Sequence, residues 1–493
     1  MNLNMKSTIK ISGIVLMVIG FSMLPSVFVS FLYDDGPDVL IPFLVTALAS
    51  IYVGYLVTWA LRGTPTRTLK VRDGFLVVIV CWLVSAILGA IPFYVTGAIQ
   101  NPFDAFFESC SGFSTAGSSI LLDIEALPRG LLFWRSFTHW IGGMGVLVFV
   151  LAVVPLNGGS HINLMRAESP GPSVGKLVPR LRYTARILYV IYIVMTAIQI
   201  VLLLLGGMEL FDSVTLSFGT AGTGGFGIKN DSIAGYSLYE QWIIGIFMVL
   251  FGINFNAYYF ILLKHFKEAF SMEEVRAYLL IIAGAVAVIF VNIFHACQGA
   301  VDALTKAFFQ VASIITTTGF STCDFDLWPT TSKFILVLLM FIGACAGSTG
   351  GGIKVSRFLI AGKTVRKEMG SYIHPKSIKK IQMDSKPIEH EVVRSTNVYF
   401  MTYLMLFALF LFLISLEGQD LVTSFTAVAA TFNNIGPGLG GVGPMCNFGG
   451  LTIFSKWVLS FAMLAGRLEL FPMLMLFHPT IWKDSFLGSR KES

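Results

Sequence analysis

At 493 residues the chain has the length of two or three soluble domains, but its composition excludes a soluble surface: 55% of residues are hydrophobic and 13% charged. Soluble domains carry about 25% charged residues, and a mean hydropathy of +0.76 makes lipid the solvent of this one. The net charge of +6 calls for no nucleic acid, because the distribution of basic residues along the membrane topology accounts for it.

Ten apolar runs have the length of a bilayer span: 11–33, 39–62, 74–96, 131–155, 185–206, 241–263, 277–297, 333–359, 396–416 and 453–478. The first is too long for a signal-peptide core and lacks a small-residue cleavage site, so it reads as a span. The eighth carries a glycine break and is the least regular. Four shorter amphipathic stretches lie between spans, at 102–112, 209–219, 301–314 and 419–431. Segments of that length are re-entrant or interfacial more often than spanning.

Charge fixes the expected orientation. Segments 1–10, 62–73, 156–186, 264–276, 354–394 and 483–493 hold 27 of the 34 Lys and Arg, and basic loops stay cytoplasmic. Both termini are therefore expected inside, and the four short stretches face outward. Arg129, Arg135, Lys229, Lys306, Lys333 and Lys456 fall on the outer side.

After two leading spans, the order span, short helix, glycine-rich loop, span occurs four times. The loops are Ser111–Gly117, Thr220–Phe226, Thr316–Thr322 and Asn433–Gly440. All four share one orientation, and parallel repeats suit a rotational pore better than an inverted-repeat transporter. The expected fold is an all-α polytopic membrane protein with four parallel helix–pore-loop–helix repeats around one central ion pore. Its units are 1–70 (two leading helices), 71–160, 180–265, 275–365 (with the glycine break of the eighth span) and 394–482.

Irregular backbone at membrane depth is tolerated where it lines a water-filled cavity. A dehydrating cation needs oxygens in place of water, and rings of backbone carbonyls supply them in potassium-selective filters. Turning successive carbonyls to one side needs backbone angles that glycine reaches without strain, hence Gly117, Gly225, Gly319 and Gly436. Thr115, Thr223 and Thr318 are positioned to add hydroxyl oxygens, with Asn434 in that place in the fourth loop. Asp104, Glu108, Glu209, Asp212, Asp302 and Asp420 lie near the outer ends of the short helices. They either concentrate cations at the mouth or cap helices that face water.

Several decoys drop out. Gly222-x-Gly224-x-x-Gly227 matches a dinucleotide fingerprint as a string but follows a short amphipathic helix, not a strand. The glycines at 347–352 lack the adjacent Gly-Lys of a phosphate loop. The histidines share no ligand spacing, and isolated His295 reads as a packed residue. The six cysteines read as buried, inert thiols. No catalytic constellation is present, so no enzyme and no cofactor is expected.

Glu108–Gly117, Leu131–Ser136 and Ile141–Gly145 resemble the first repeat of TrkH-type proteins of the TrkH/KtrB superfamily. Ser313–Ser321 resembles the third repeat, Ala346–Lys354 the intramembrane loop, and Asn433–Gly438 with Gly466–Glu469 the fourth. The resemblance covers essentially the whole chain, and the two extra N-terminal spans favour the TrkH type. It departs at Ser114-Thr115-Ala116, where threonines are common, and at Gly222, where alanine is usual. Retention of Gly117, which is serine in sodium-preferring plant relatives, favours potassium.

The resemblance implies potassium uptake through a gated channel-like pore, with K+ as the transported ion. Its filter would comprise Thr115, Ala116, Gly117, Thr223, Gly224, Gly225, Thr317, Thr318, Gly319, Asn434, Ile435 and Gly436. The gating set would be Gly347, Ser348, Thr349, Gly350, Gly351, Gly352, Lys354 and Arg467. Arg467 lies mid-span, where an unpaired charge is expensive; it either faces the pore and holds the loop closed or pairs with Glu469. Implied partners are membrane lipid, a second copy in a homodimer, and a cytoplasmic nucleotide-binding TrkA-like ring on 156–186 and 354–394, in a bacterial inner membrane. The alternative is a proton- or sodium-coupled potassium symporter, which needs a titratable relay through the membrane.

Overall fold

The computed structural model describes residues 3–62, 71–145, 181–374 and 380–479. Three long helices lead: α1 (Leu3–Leu32), α2 (Pro37–Ala60) and α3 (Val71–Val95). α1 and α2 form a hairpin whose backbones touch at small residues. A Cβ on Gly54 would stand 2.5 Å from the Gly13 carbonyl oxygen, and one on Gly20 would stand 2.8 Å from that of Ala47. Close approach at small residues is how helices gain packing energy in lipid, where apolar burial alone contributes little.

Four helix–loop–helix units then follow. The first contains α3, α4 (Pro102–Ser114) and α5 (Arg129–Gly143). The second contains α6 (Leu181–Leu205), α7 (Leu210–Ala221) and α8 (Leu238–Phe251), continued by α9 (Phe255–Leu262) and α10 (Phe266–Ser271). The third contains α11 (Glu273–Ile293), α12 (Ala300–Ile315), α13 (Thr330–Phe341) and α14 (Val355–Ile373). The fourth contains α15 (His390–Ser415), α16 (Leu421–Phe432), α17 (Ile453–Arg467) and α18 (Phe471–Met475). The short helices α4, α7, α12 and α16 fall within two residues of the expected stretches and are largely buried; Ala105 and every residue from Phe107 to Ser114 are buried. α4 packs on α3 and α5 of its own unit and on α17 of the last, which joins the two ends of the series.

The long helices turn apolar side chains outward. On α15, Val398, Met401, Met405, Leu409 and Phe412 are exposed along one face. On α6, Val190, Val194, Ile198 and Val201 do the same. Faces of this length and polarity are stable only against hydrocarbon.

Continuous spans are fewer than the ten apolar runs. Among the described residues, six helices are long and apolar enough to cross a membrane, or seven with one bent pair. The bent pair is α8 and α9, which meet at 91° where Gly252 ends one helix and Asn254 caps the next. The run 333–359 divides between α13 and α14 around the glycine loop. The run 453–478 breaks at Glu469 and Leu470, both with positive φ (57° and 70°). The run 131–155 forms a helix to Gly143; its remainder from residue 146 lies outside the described residues. An average hydropathy over each run does not register these breaks, although the glycine run at 347–352 marks one of them in the sequence.

Small departures from the all-α reading and the residue assignments also occur. Gln382–Met383 and Lys386–Pro387 pair as a two-stranded antiparallel hairpin. His295 is exposed in a 3₁₀ turn beyond the end of α11, not packed. Cys446 is exposed, and Cys297 and Cys323 are partly so.

Candidate functional site

The four short helices end in the same way. The residue after each C-terminus, or one beyond it, is left-handed: Thr115 (φ 59°), Thr223 (52°), Thr317 (59°) and Asn434 (58°). In each, that residue's N–H bonds back three residues and the next N–H bonds back five. The longer bonds are Ala116 N to Ser111 O (2.9 Å), Gly224 N to Gly219 O (2.9 Å), Thr318 N to Ser313 O (2.9 Å) and Ile435 N to Ala430 O (2.8 Å). This is the Schellman termination, which glycine usually occupies. Three β-branched threonines there are conformational outliers at a cost of about 1–3 kcal/mol each, and they persist because surrounding packing over-determines them. The third member of the set is Thr317 and not Thr318; Thr318 has its hydroxyl 2.7 Å from that of Thr316.

Two residues on, Gly117, Gly225, Gly319 and Gly436 again have positive φ (73°, 75°, 89° and 103°). The reason is the neighbouring loop. A Cβ on Gly117 would stand 2.1 Å from Gly224 O, on Gly225 1.9 Å from Thr318 O, on Gly319 1.9 Å from Ile435 O, and on Gly436 3.1 Å from Ala116 O. Each glycine therefore abuts the carbonyl preceding the next glycine, in the order one, two, three, four, one. The four loops form a closed ring.

Above the ring lies a cavity of about 370 Å³ lined by all four glycines, with Ser118, Lys229, Asp231 and Met445 among its walls. At the ring, Thr115 Oγ1 is buried without a hydrogen-bond partner, as is Asn434 Oδ1, whose amide turns toward α17 and donates through Nδ2 to Met463 O (3.0 Å). Such oxygens are costly to desolvate unless something binds them. No group of three His, Cys, Asp or Glu able to hold a metal occurs among the described residues, so backbone and hydroxyl oxygens are what the ring offers. That donor set fits a hard monovalent cation.

Of the six acids near the short helices, all but Glu209 make side-chain bonds within the fold. Glu108 is fully buried and bonds Arg135 Nε (2.6 Å), Ser119 Oγ (3.0 Å) and Ile120 N (3.0 Å). Arg135, expected on the outer side, is buried too and donates to Gly227 O (2.8 Å). Asp104 pairs with Lys456 and Asp302 with Lys306, both at 2.8 Å. Asp420 caps α16 through Thr423 N, Asp212 accepts from Tyr236 Oη (2.8 Å), and Glu209 precedes α7 exposed without a cap bond. In the loop above the first unit, Asn230 donates to Asp123 and holds its carboxyl below the usual value. Burial pushes the Cys323 thiol up to about 12, consistent with an inert thiol.

Below the ring lies the glycine run. Gly351 N donates to Thr317 Oγ1 (2.6 Å), and a Cβ on Gly351 would meet Asn433 O at 2.7 Å. Gly347 and Gly352 have positive φ, and Gly347 O accepts from Phe255 N (3.0 Å) across the α8–α9 break. Ser348 turns inward, its Oγ on Cys345 O (2.6 Å). Lys354 Nζ bonds Gly350 O and, at 3.2 Å, Gly351 O. Arg467 donates to Thr349 O (2.9 Å) in this run and to Gly142 O (2.5 Å) and Gly143 O (2.7 Å) in the first unit. Glu469 bonds Arg357. The residues named as filter and as gate thus form two contiguous layers.

Sequence reasoning missed Glu108–Arg135, Arg357 and Glu274, whose Oε1 accepts from Ala346 N (2.7 Å) and Ser356 N (3.1 Å) at the two ends of the glycine run. An arginine inside the apolar run Leu131–Ile141 was the available signal for the first.

A family model described as "TrkH: Cation transport protein" matches residues 43–486. The chain belongs to the TrkH family. Among TrkH-family proteins, it is 36% identical to the Trk system potassium uptake protein TrkH of Vibrio parahaemolyticus, covering 97% of this chain and 99% of that one. It is 33% identical to the Trk system potassium uptake protein TrkH of Escherichia coli K12, over 98% of this chain and 100% of the relative. A crystal structure of the potassium transporter TrkH from V. parahaemolyticus superposes with a TM-score of 0.86 at 33% identity, covering 97% of this chain and 99% of that one. Membership sets this TrkH-family chain among membrane transporters and apart from enzymes.

Proposed function

We propose that the chain admits potassium across a bacterial inner membrane, both termini cytoplasmic, through one gated pore. The observation that carries this reading is the closed ring in which each loop's glycine abuts the next loop's carbonyl. The four units 71–160, 180–265, 275–365 and 394–482 each contribute one loop, and the triplets ending at Gly117, Gly225, Gly319 and Gly436 form the filter. The ring's donors suit an ion that exchanges water for carbonyl oxygens, and the relatives' names specify potassium uptake. The buried carboxylates Glu108, Glu274 and Glu469 are each held in hydrogen bonds, which favours a channel-like path over a proton-coupled relay. Reconstituted alone, the protein is expected to take up rubidium tracer in competition with potassium far more than with sodium. Gly117→Ser is expected to erode that preference. Equal competition by sodium in the wild type overturns the potassium reading, and a reversal potential that moves with pH or sodium overturns the uncoupled one.

The glycine run is the gate and Arg467 its latch, bonded to Thr349 O on one side and Gly142–Gly143 on the other. Arg467→Ala removes three charge-assisted bonds and is expected to raise the open-to-closed ratio, and with it the single-channel open probability, by about tenfold or more, on the order of the 1.5–3 kcal/mol that one such bond contributes. An unchanged open probability sinks the latch.

A homodimer and a TrkA-like nucleotide-binding ring on the cytoplasmic face complete the proposal. Of the two contact segments, residues 156–180 and 375–379 lie outside the described residues; the start of α6, α14, the 382–387 hairpin and the start of α15 are among the described parts of that face.

A further inference from the structure

Glu274 opens α11 and is 4% exposed. Its Oε1 accepts from Ala346 N and Ser356 N, so one carboxylate oxygen closes the base of the excursion that carries the glycine run. Its neighbour Glu273 faces a different segment. Glu273 N donates to Asp384 Oδ1 (2.7 Å), and Asp384 N donates back to Glu273 Oε1 (3.2 Å). Lys363 Nζ joins them, bonding Glu273 and, at 2.6 Å, Gln382 O. Asp384 and Ser385, both left-handed (φ 50° and 62°), make the turn of the 382–387 hairpin. That hairpin seats Met383 (2% exposed) against the body and leaves Gln382, Ser385, Lys386 and Pro387 exposed.

Resting on the gate reading, we propose that Glu274 is the positioning residue that holds the glycine run against the ring, and that the 382–387 hairpin is the handle through which a force on that face reaches it. The argument is mechanical. Two consecutive residues of one rigid helix grip the hairpin on one side and both ends of the run on the other. A displacement of the hairpin that tilts the first turn of α11 must move the Glu274 carboxylate, and the run has glycine pivots at 347 and 352 that let it follow. Removing the acceptor leaves two N–H groups without their partner, which weakens the seated state without touching any oxygen of the ring.

The test records potassium currents from the reconstituted full chain. Glu274→Ala is expected to raise the open-to-closed ratio roughly tenfold, the value of about 1.4 kcal/mol of lost closed-state bonding, with the potassium-to-sodium permeability ratio unchanged. Glu274→Gln keeps an acceptor oxygen and is expected to stay within about twofold of wild type. Asp384→Ala, at the exposed turn and outside both layers, is expected to shift gating in the same direction by a smaller factor; it also decides the matter should Glu274→Ala fail to fold. An unchanged ratio in either alanine variant overturns the proposal, as does a permeability change in Glu274→Ala, which assigns the residue to the ring. The Arg467→Ala channel separates the two readings: altered gating there with unaltered gating in Glu274→Ala removes the anchor alone, whereas unaltered gating in both removes the gate.

Discussion

Gly225→Ala and Gly319→Ala are each expected to abolish ion discrimination, while Gly436→Ala leaves a measurable part of it. Two costs compete at these sites. The left-handed backbone disfavours alanine by about 1–2 kcal/mol at all four glycines, so it cannot separate them. The collision can: the new Cβ stands 1.9 Å from Thr318 O at Gly225 and 1.9 Å from Ile435 O at Gly319, but 3.1 Å from Ala116 O at Gly436. Relief at 1.9 Å requires the neighbouring carbonyl to move by more than 1 Å, since van der Waals contact begins near 3 Å. Thr318 and Ile435 cannot yield alone, because their own N–H groups are tied back to Ser313 and Ala430. The whole neighbouring loop must shift, and a filter oxygen displaced that far no longer replaces water on the ion. Rubidium uptake competed by potassium and by sodium measures the outcome. A loss of at least tenfold in the potassium preference, corresponding to about 1.4 kcal/mol of discrimination, is expected at Gly225 and Gly319. Retention of wild-type preference in either variant shows that the ring does not set selectivity.

Much of this layout could be read in the sequence, for one physical reason. A short apolar helix followed by glycine is an unusual string in lipid, and four of them in the same orientation make an arrangement that hydropathy, charge sidedness and glycine placement all report. The backbone below the loops was not legible in the same way. Residues 241–263 are apolar on average, yet α8 and α9 meet at 91° at Gly252 and Asn254, because a hydropathy average registers transfer energy and is blind to helix direction. The third loop offered three threonines in a row at 316–318; only the backbone torsions separate Thr317, which joins the set with Thr115, Thr223 and Asn434, from Thr318. Asp104, Asp302 and Asp420 look like mouth acids by position, and their engagement with Lys456, Lys306 and Thr423 depends on tertiary contacts or local capping. Arg467 was legible as an anomaly, a charge inside an apolar run, but its three carbonyl partners come from two other parts of the chain. Glu274 was invisible: at the edge of a span it looks like any interfacial acid, and its partners lie at 346 and 356.

Arg135→Ala is expected to be as damaging as any ring substitution, although Arg135 lies behind the loops. The Arg135–Glu108 pair has side-chain exposures of 2% and 0%, so neither charge retains water. Removing one partner leaves the other as a buried, uncompensated charge, at a cost of about 3–5 kcal/mol. The bonds lost also have addresses. Arg135 reaches Gly227 O, two residues beyond Gly225, and stacks on Phe226 at 3.7 Å. Glu108 holds Ser119 and Ile120, just beyond Gly117. The pair therefore joins the outer ends of the first two loops, and stability and selectivity should fail together. The discriminating comparison is Glu108→Gln, Arg135→Met and the double variant, followed by thermal unfolding in detergent and by potassium-over-sodium competition. The double variant is expected to recover stability over either single one, because it leaves no lone buried charge, and to remain poorly selective, because the tie between the two loops is still missing. If stability and selectivity recover together in the double variant, the pair's contribution is charge neutralisation alone and its role in aligning the loops is refuted. If the single variants match wild type in both measurements, the loops are held in register by the glycine–carbonyl contacts themselves.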